Sequence, residues 1–496
     1  MTSPTAPVPL KTIVIVGGGT AGWIAAAMLA RFVPRTTKIS LVESDAIGTV
    51  GVGEATIPQI RLLTAALGID ENAMLAATHG TFKLGIEFVD WTGRGSRYMH
   101  AFGAVGRGLG VVPFHHHWLR AQASGTAAPL GDYIASARAA ADARFDRHPD
   151  LAYAYHFDAT LLARWLRGLA EASGVDRIEG RIVTAQRDGE TGDLTGVTLD
   201  DGRAVEGDFF LDCSGFRSLL LGEALGVAFE DWSHWLPCDR AMAVACEVTT
   251  PLLPYTRATA RPVGWQWRIP LQHRTGNGLV YAAAHLSDDE AAARLLANLD
   301  GPAIGDPRPL RFATGKRATF WERNVVALGL ASGFMEPLES TSIHMVQSAV
   351  ARLLSLFPSA GDNAAARAAY NRQTHIEYDT VRDFLILHYH ANRRPEPFWQ
   401  RCRDMALPDR LAEKIAQFRA AAILTPDVAD LFTEPAWLQV MIGQGINPVT
   451  WSPLAEALSP DQLAGFLADI RDRHAATARA LPAHADTVAR HCMAKR

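Results

Sequence analysis

The stretch Lys11-Thr12-Ile13-Val14-Ile15-Val16-Gly17-Gly18-Gly19-Thr20-Ala21-Gly22-Trp23 constrains this chain more than any other. A β-branched run breaks into glycine and then into alanine-rich sequence, the order strand, turn, helix. Gly17, Gly19 and Gly22 keep the spacing of a dinucleotide fingerprint. The first allows a tight turn, the second lets backbone approach a pyrophosphate, and the third permits close helix–strand packing. A helix opening near Thr20 aims free N–H groups at phosphates. The next apolar run, Lys38 to Glu43, ends about twenty residues on in an acid that can bind ribose hydroxyls. The fold expected from such a start is α/β, around a bound dinucleotide.

Length and composition narrow the classes around that start. At 496 residues the chain is too long for one small core, and two or three domains are expected. A net charge of −4 gives no basic field to gather nucleic acid, and no basic amphipathic segment points to a membrane surface. Cys213, Cys238, Cys246, Cys402 and Cys492 are scattered and never closely paired, so they read as reduced, buried thiols. Ile13 to Val16 is too short for a signal-peptide core, and no later run is long enough to span a bilayer. A soluble, cytoplasmic protein is expected.

Further on, Gly51 to Pro58 forms a second glycine-rich loop before a helical pattern at Gln59 to Leu67; on composition alone it is a plain turn. Thr81 to Phe88 alternates strictly, with Phe82, Leu84, Ile86 and Phe88 on one face and Lys83, Gly85 and Glu87 on the other. A lysine on the polar face of such a strand is ordinarily solvated. His115-His116-His117 cannot converge on one point if the backbone is extended, and with no acidic residue nearby no metal site is expected. A helix over Ala159 to Ala172 and a strand at Arg181 to Ala185 lead to Asp208 to Gly215, an apolar run ending like a buried parallel strand. Between Glu230 and Arg311 an alternating, aromatic texture predicts an antiparallel sheet. Val325 to Ala331 restores a buried strand, and Ser340, Thr341 and Ser342 then sit where a helix begins with unpaired amide donors. Beyond residue 365 the pattern is mainly helical, punctuated by Pro395, Pro397, Pro408, Pro426, Pro448 and Pro453.

Together these motifs resemble the flavin-dependent halogenases of the tryptophan halogenase family. The matching stretches are Gly17 to Trp23, Gly51 to Pro58, Phe82 to Phe88, Tyr155-His156-Phe157-Asp158-Ala159, Trp265-Gln266-Trp267-Arg268-Ile269-Pro270, and Gly333 to Thr341. They run in family order over nearly the whole chain, and the Trp-x-Trp-x-Ile-Pro hexapeptide is close to diagnostic. The resemblance implies a Rossmann-like FAD domain of flavin monooxygenase type, with an inserted antiparallel substrate layer and a helical C-terminal region. The implied parts are 8–110, 155–225 and 311–360 for FAD, 111–154 as a substrate-side insertion, 226–310 as the sheet, and 361–496 as helical substrate-binding region.

By the same resemblance FAD is held by Gly17, Gly19, Thr20, Ala21, Gly22, Glu43, Gly53, Ala55, Val183, Leu330 and Ile343. FADH2 from a separate flavin reductase reacts with O2 to give a flavin hydroperoxide, and chloride or bromide attacks it to form hypohalous acid. No second dinucleotide fingerprint exists for NAD(P)H, since Gly443-Gln444-Gly445 lacks the strand and third glycine. Lys83 is implied to meet the hypohalous acid as hydrogen-bond donor or haloamine, and Glu339 to polarise it or take the arene proton. Halide is implied at the Thr341 and Ser342 amides, where Ser342 replaces the commoner family glycine. Trp265 and Trp267 are implied to wall the flavin from the substrate, and His100, Phe102 and Trp437 to hold an indole or other electron-rich arene. The paired tyrosines and acidic anchor that recognise free tryptophan are not found around Glu434 to Trp437. The alternatives are a flavin monooxygenase on the same scaffold and a non-catalytic FAD-binding protein; homodimerisation is left open.

Overall fold

The β-branched run Thr12–Val16 lies at the middle of a six-stranded sheet in the order Trp321–Glu322, Val325–Ala327, Phe209–Asp212, Thr12–Val16, Lys38–Glu43, Asp176–Glu179. All its pairings are parallel except the edge pair Trp321–Glu322 with Val325–Ala327. Val14, Ile15, Phe210, Leu211, Val325 and Val326 are fully buried, as strands covered on both faces must be. The structure, a computed structural model, describes residues 8–46, 53–425 and 430–495. Helix Thr20–Phe32 packs on the strands Thr12–Val16 and Lys38–Glu43, and Ala159–Ala172 and Ser342–Ser355 pack on that helix. Gly51 and Val52, within the second glycine loop, and Pro426 lie outside the described residues.

The antiparallel layer has seven strands in the order Ala303–Arg311, Arg240–Cys246, Thr275–Tyr281, Trp265–Pro270, Thr256–Ala260, Gly85–Val89, Arg97–Ala101. One pairing, Thr256–Ala260 with Gly85–Val89, is parallel. The layer thus takes two strands from the segment 8–110 as well as those between Glu230 and Arg311. The alternating run Thr81 to Phe88 is not one strand. Thr81–Lys83 belongs to a small sheet with Gly53–Ala55 and Ala154–Asp158, and Gly85–Val89 to the seven-stranded one. Leu84 is the joint: its N–H donates to the Pro254 carbonyl and its carbonyl accepts from Phe102 N–H.

Two local expectations are corrected by tertiary packing. Lys83, expected in solvent from its face of the strand, is 0% exposed, because the small sheet carries it into the interior. The histidine run is helical, within Phe114–Ala123, and His115 does have an acidic neighbour, Glu434 Oε1 at 3.1 Å from Nδ1. That carboxylate lies more than three hundred positions away, beyond the reach of a local reading. Among the described residues no group of three or more His, Cys, Asp or Glu side chains is placed to hold a metal ion, and no helix is long and apolar enough to cross a membrane. All five cysteines are free and buried.

The C-terminal region is helical. Pro397 opens helix Pro397–Asp404 and Pro408 caps Asp409–Ala421, positions where the missing N–H costs nothing. The 27-residue helix Ala364–His390 ends inside the protein: Leu385, Ile386, Leu387, His388 and Tyr389 are all 0% exposed. The last turns of this helix, buried on every side, deliver side chains to the interior.

Candidate active site

The glycine turn behaves as its spacing requires. Gly17 has φ of 107°, and a Cβ there would stand 2.3 Å from the Cys213 carbonyl oxygen. A Cβ on Gly22 would stand 1.9 Å from the Gly17 carbonyl oxygen, so the helix lies hard against the turn. Around Gly19 nothing among the described residues comes within 4 Å of an added Cβ, and no side chain caps helix Thr20–Phe32. Open donors with open space before them suit a pyrophosphate. Ala21 packs against the turn Gly329–Ala331, which holds Leu330, and Ile343 is buried in the first turn of Ser342–Ser355, a helix packed on Thr20–Phe32.

Glu43 stands at its expected strand end, but with its carboxylate already engaged. Oε1 accepts from Arg177 Nε at 2.6 Å and lies 3.5 Å from Arg167. Gly180 N–H donates to the Glu43 carbonyl, which starts the strand Ile182–Arg187 beside it and leaves the Val183 side chain exposed. Gly53 and Ala55 occupy the short strand Gly53–Ala55, which pairs with Ala154–Asp158.

The second cluster forms where the small sheet meets the turn Pro337–Glu339. Lys83 Nζ donates to the Thr56 carbonyl at 3.0 Å and to Ser340 Oγ at 2.8 Å, and lies 5.3 Å from the Phe102 ring centroid. Among the described residues these are the two acceptors on the Lys83 nitrogen. Burial, opposed by the Glu339 charge, lowers the Lys83 pKa to about 7. Ser340 is in the left-handed region at φ of 60°, a strained conformation that turns its hydroxyl to Lys83 just before helix Ser342–Ser355 begins. No side chain caps that helix, and among the described residues the Thr341 and Ser342 amides have no acceptor.

Glu339 is 1% exposed and lies between two histidines. His100 Nδ1 is 2.9 Å from Oε2, and His388 Nε2 is 2.8 Å from Oε1. Burial pushes the Glu339 carboxyl up, but His100 and His388 outweigh it and hold it at about 2. The sequence reading expected Lys83 and Glu339 to act as a pair. In the structure Lys83 bonds the hydroxyl of Ser340, the residue after Glu339, and the two histidines are the carboxylate's direct partners.

The hexapeptide strand Trp265–Pro270 places both tryptophans inside, with ring centroids 6.1 Å apart. Trp265 Nε1 donates to Glu336 Oε2 at 2.7 Å, and Tyr389 OH donates to the same oxygen at 2.5 Å. His100 and Phe432 both pack on Phe384, whose ring meets Trp437 edge to face. Gln439 fixes this arrangement by bonding both the N–H and the carbonyl of Ala101. Lys83, Glu339, His100, Phe102 and Trp437 thus lie in one region, and Phe384, His388, Tyr389, Phe432 and Gln439, which the sequence did not single out, pack among them. Their only sequence signal is the aromatic and histidine spacing Phe384, His388, Tyr389, which says nothing of what it meets.

The chain matches the family model described as tryptophan halogenase over residues 12–460. It is 34% identical to tryptophan 6-halogenase SttH of Streptomyces toxytricini, with 93% of this chain and 94% of that protein covered. The structure of Xcc4156, a flavin-dependent halogenase from Xanthomonas campestris, superposes with TM-score 0.97 at 48% identity over 99% of each chain. That of BrvH, a flavin-dependent halogenase from Brevundimonas sp. BAL3, gives TM-score 0.93 at 44% identity over 97% of this chain and 99% of that one. With the glycine turn, the buried lysine and the tryptophan strand all in place, the chain belongs to the tryptophan halogenase family of flavin-dependent halogenases.

Proposed function

We propose that the chain halogenates a freely diffusing indole or similarly electron-rich arene. The observation that carries this is a fully buried Lys83 bonded to Ser340, the residue next to Glu339, with Phe102 against the lysine and His100 against the carboxylate. The open helix start at Gly19 suits FAD, with Glu43, Gly53, Ala55, Val183, Leu330 and Ile343 as its further contacts. Reduced FAD, with O2 and chloride or bromide, supplies hypohalous acid. A separate flavin reductase provides the reduced cofactor, since one dinucleotide fingerprint leaves no place for NAD(P)H. The Thr341 and Ser342 amides hold the halide, and Trp265 and Trp267 keep the arene from the flavin.

The lowered proton affinity of Lys83 favours the haloamine route. Near neutral pH about half of such an amine is unprotonated. Its lone pair attacks the halogen of HO–X: the N–X bond forms, the O–X bond breaks, and water leaves with an amine proton. The arene carbon then attacks the halogen, the N–X bond breaks, and Glu339 takes the ring proton and returns it to regenerate the amine. A carboxylate held at about 2 is a weak base, yet sufficient for an arenium ion, which is a strong acid. The absence of the tyrosine pair and acidic anchor near Trp437 favours a plain indole core over free tryptophan.

The test is incubation with a flavin reductase, NADH, halide and a panel of indoles, read by mass spectrometry. A halogen isotope pattern that requires halide, FAD and reductase is expected. Hydroxylated product regardless of halide would identify a monooxygenase and overturn the reading.

A further inference from the structure

The strand Thr81–Lys83 is the edge of its small sheet: among the described residues only Ala154–Asp158 pairs with it. On the open side the Phe82 N–H, one residue before Lys83, donates to His484 Nε2 at 3.2 Å, across 402 positions of sequence. His484 Nδ1 is 3.0 Å from the Leu252 carbonyl oxygen. A carbonyl only accepts and a backbone N–H only donates, so Nδ1 carries the hydrogen and Nε2 offers its lone pair. The ring is 0% exposed, and burial lowers its pKa to about 4, in keeping with a neutral acceptor. Both nitrogens are therefore used, and the imidazole stands where another strand would supply a carbonyl.

The end of the chain is built to hold that ring. His484 opens helix His484–His491, its own N–H donates to the Ala143 carbonyl at 2.9 Å, and Thr487 Oγ1 donates to the Phe145 carbonyl. Phe145 in turn stacks on the Phe82 ring at 4.4 Å between centroids. Beyond the helix, Gln272 Nε2 donates both to the Cys492 carbonyl and to that of Gly80, the residue before the strand.

We propose that His484 is a positioning residue for the reaction: by accepting the Phe82 N–H it fixes the backbone that carries Lys83, which makes the last helix a working part of the active site. This rests on the reading of Lys83 as the group that carries the halogen. Lys83 Nζ reaches the Thr56 carbonyl at 3.0 Å and Ser340 Oγ at 2.8 Å, contacts that tolerate little movement of the strand. Without the imidazole the Phe82 N–H is a buried donor lacking an acceptor, and the strand must shift or admit water to satisfy it. Either change unseats the lysine, and water beside it raises its proton affinity, whose low value comes from burial. A merely structural histidine would lower stability and leave the lysine where it is.

The test uses the full-length enzyme with two substitutions that divide the imidazole's contacts. His484→Gln keeps an acceptor near the Nε2 position and gives up Leu252, whereas His484→Asn keeps a donor for Leu252 and leaves the Phe82 N–H unbonded. The chain has six lysines, so a 13C label at the lysine ε-carbon resolves Lys83, assigned by its loss in Lys83→Met. The Lys83 titration midpoint should stand at about 7 in the wild type and in His484→Gln, and rise toward the ordinary lysine value in His484→Asn. Turnover should fall about 100-fold in His484→Asn and at most about 3-fold in His484→Gln, with KM for the arene and FAD affinity unchanged. An unmoved Lys83 with undiminished turnover in His484→Asn, or equal losses in both variants, would overturn the proposal. Should His484→Asn not fold, 15N-histidine shifts of the wild type decide, with the His484 signals assigned by their loss in His484→Gln. A bare Nε2 and a protonated Nδ1 are expected, and a proton on Nε2 would overturn it. If the wild type halogenates no arene, the proposed function fails while the lysine titration still decides the role of His484.

Discussion

Glu336 and Glu339 flank one turn, are each 1% exposed, and have opposite proton affinities. Burial and two neutral donors, the Trp265 indole and the Tyr389 hydroxyl, leave Glu336 raised to about 7. Burial and two imidazoles leave Glu339 lowered to about 2. Both donors of Glu336 fall on Oε2, and among the described residues Oε1 is buried without a partner, which favours a protonated carboxyl. Equal burial therefore decides nothing by itself; the charge of the partner decides. Three residues apart, one carboxyl is held by Trp265 and Tyr389 and the other by His100 and His388, a division that follows from the adjacent residues His388 and Tyr389 on one helix.

The comparison is broken most completely by Glu339→Gln. On the proposed reading it removes the proton acceptor and leaves His100 and His388 without their carboxylate, and turnover should fall about 1000-fold, measured as halogenated product under saturating reductase. Glu336→Gln should instead show its main effect in stability. The folded carboxyl holds its proton to about 7 whereas an unfolded one releases it near 4.5, so wild-type stability falls as pH rises through that window, by about 3 kcal/mol. The variant lacks this loss, and denaturant unfolding at pH 5 and pH 8 should show its relative stability improving by about that amount. A difference that stays constant with pH would contradict the assignment. Glu339 works in the other direction, stabilising above 4.5 and losing that contribution as pH falls toward 2.

Lys83 sharpens the same contrast kinetically. If its neutral amine accepts the halogen, turnover should rise about tenfold between pH 6 and pH 8, and Glu336→Gln should leave the profile in place. A rate that falls over that range would favour an ammonium acting as hydrogen-bond donor. The smallest effect is expected from Trp265→Phe, which removes one donor from Glu336 and should cost about 1–2 kcal/mol of stability while raising the Glu336 proton affinity further. Infrared titration of the buried carboxyl checks the direction.

The parts of this molecule legible in the sequence are those whose physics is local. Gly17, Gly19 and Gly22 announce a turn because each glycine answers a constraint within a few residues. The tryptophan strand and the helix start at Ser342 are legible for the same reason, and the family resemblance adds Lys83 and Glu339. What local reading misses comes from distant packing. Lys83 is buried because Thr56 and Ser340 are brought to it across the fold. His115 finds Glu434, and Glu339 finds His388, through helices whose own periodicity says only that one face is buried. Glu43 keeps its predicted place, but its arginine partners come from beyond its own strand and turn.

The central claim, that one turn carries a protonated brace beside an ionised base, is tested most directly by infrared spectroscopy of the carboxyl C=O stretch at pH 6 in the wild type, Glu336→Gln and Glu339→Gln. The account predicts a buried carboxylic-acid component, beside that of Glu54, that is lost in Glu336→Gln and persists in Glu339→Gln. A band that disappears in Glu339→Gln and persists in Glu336→Gln would contradict it.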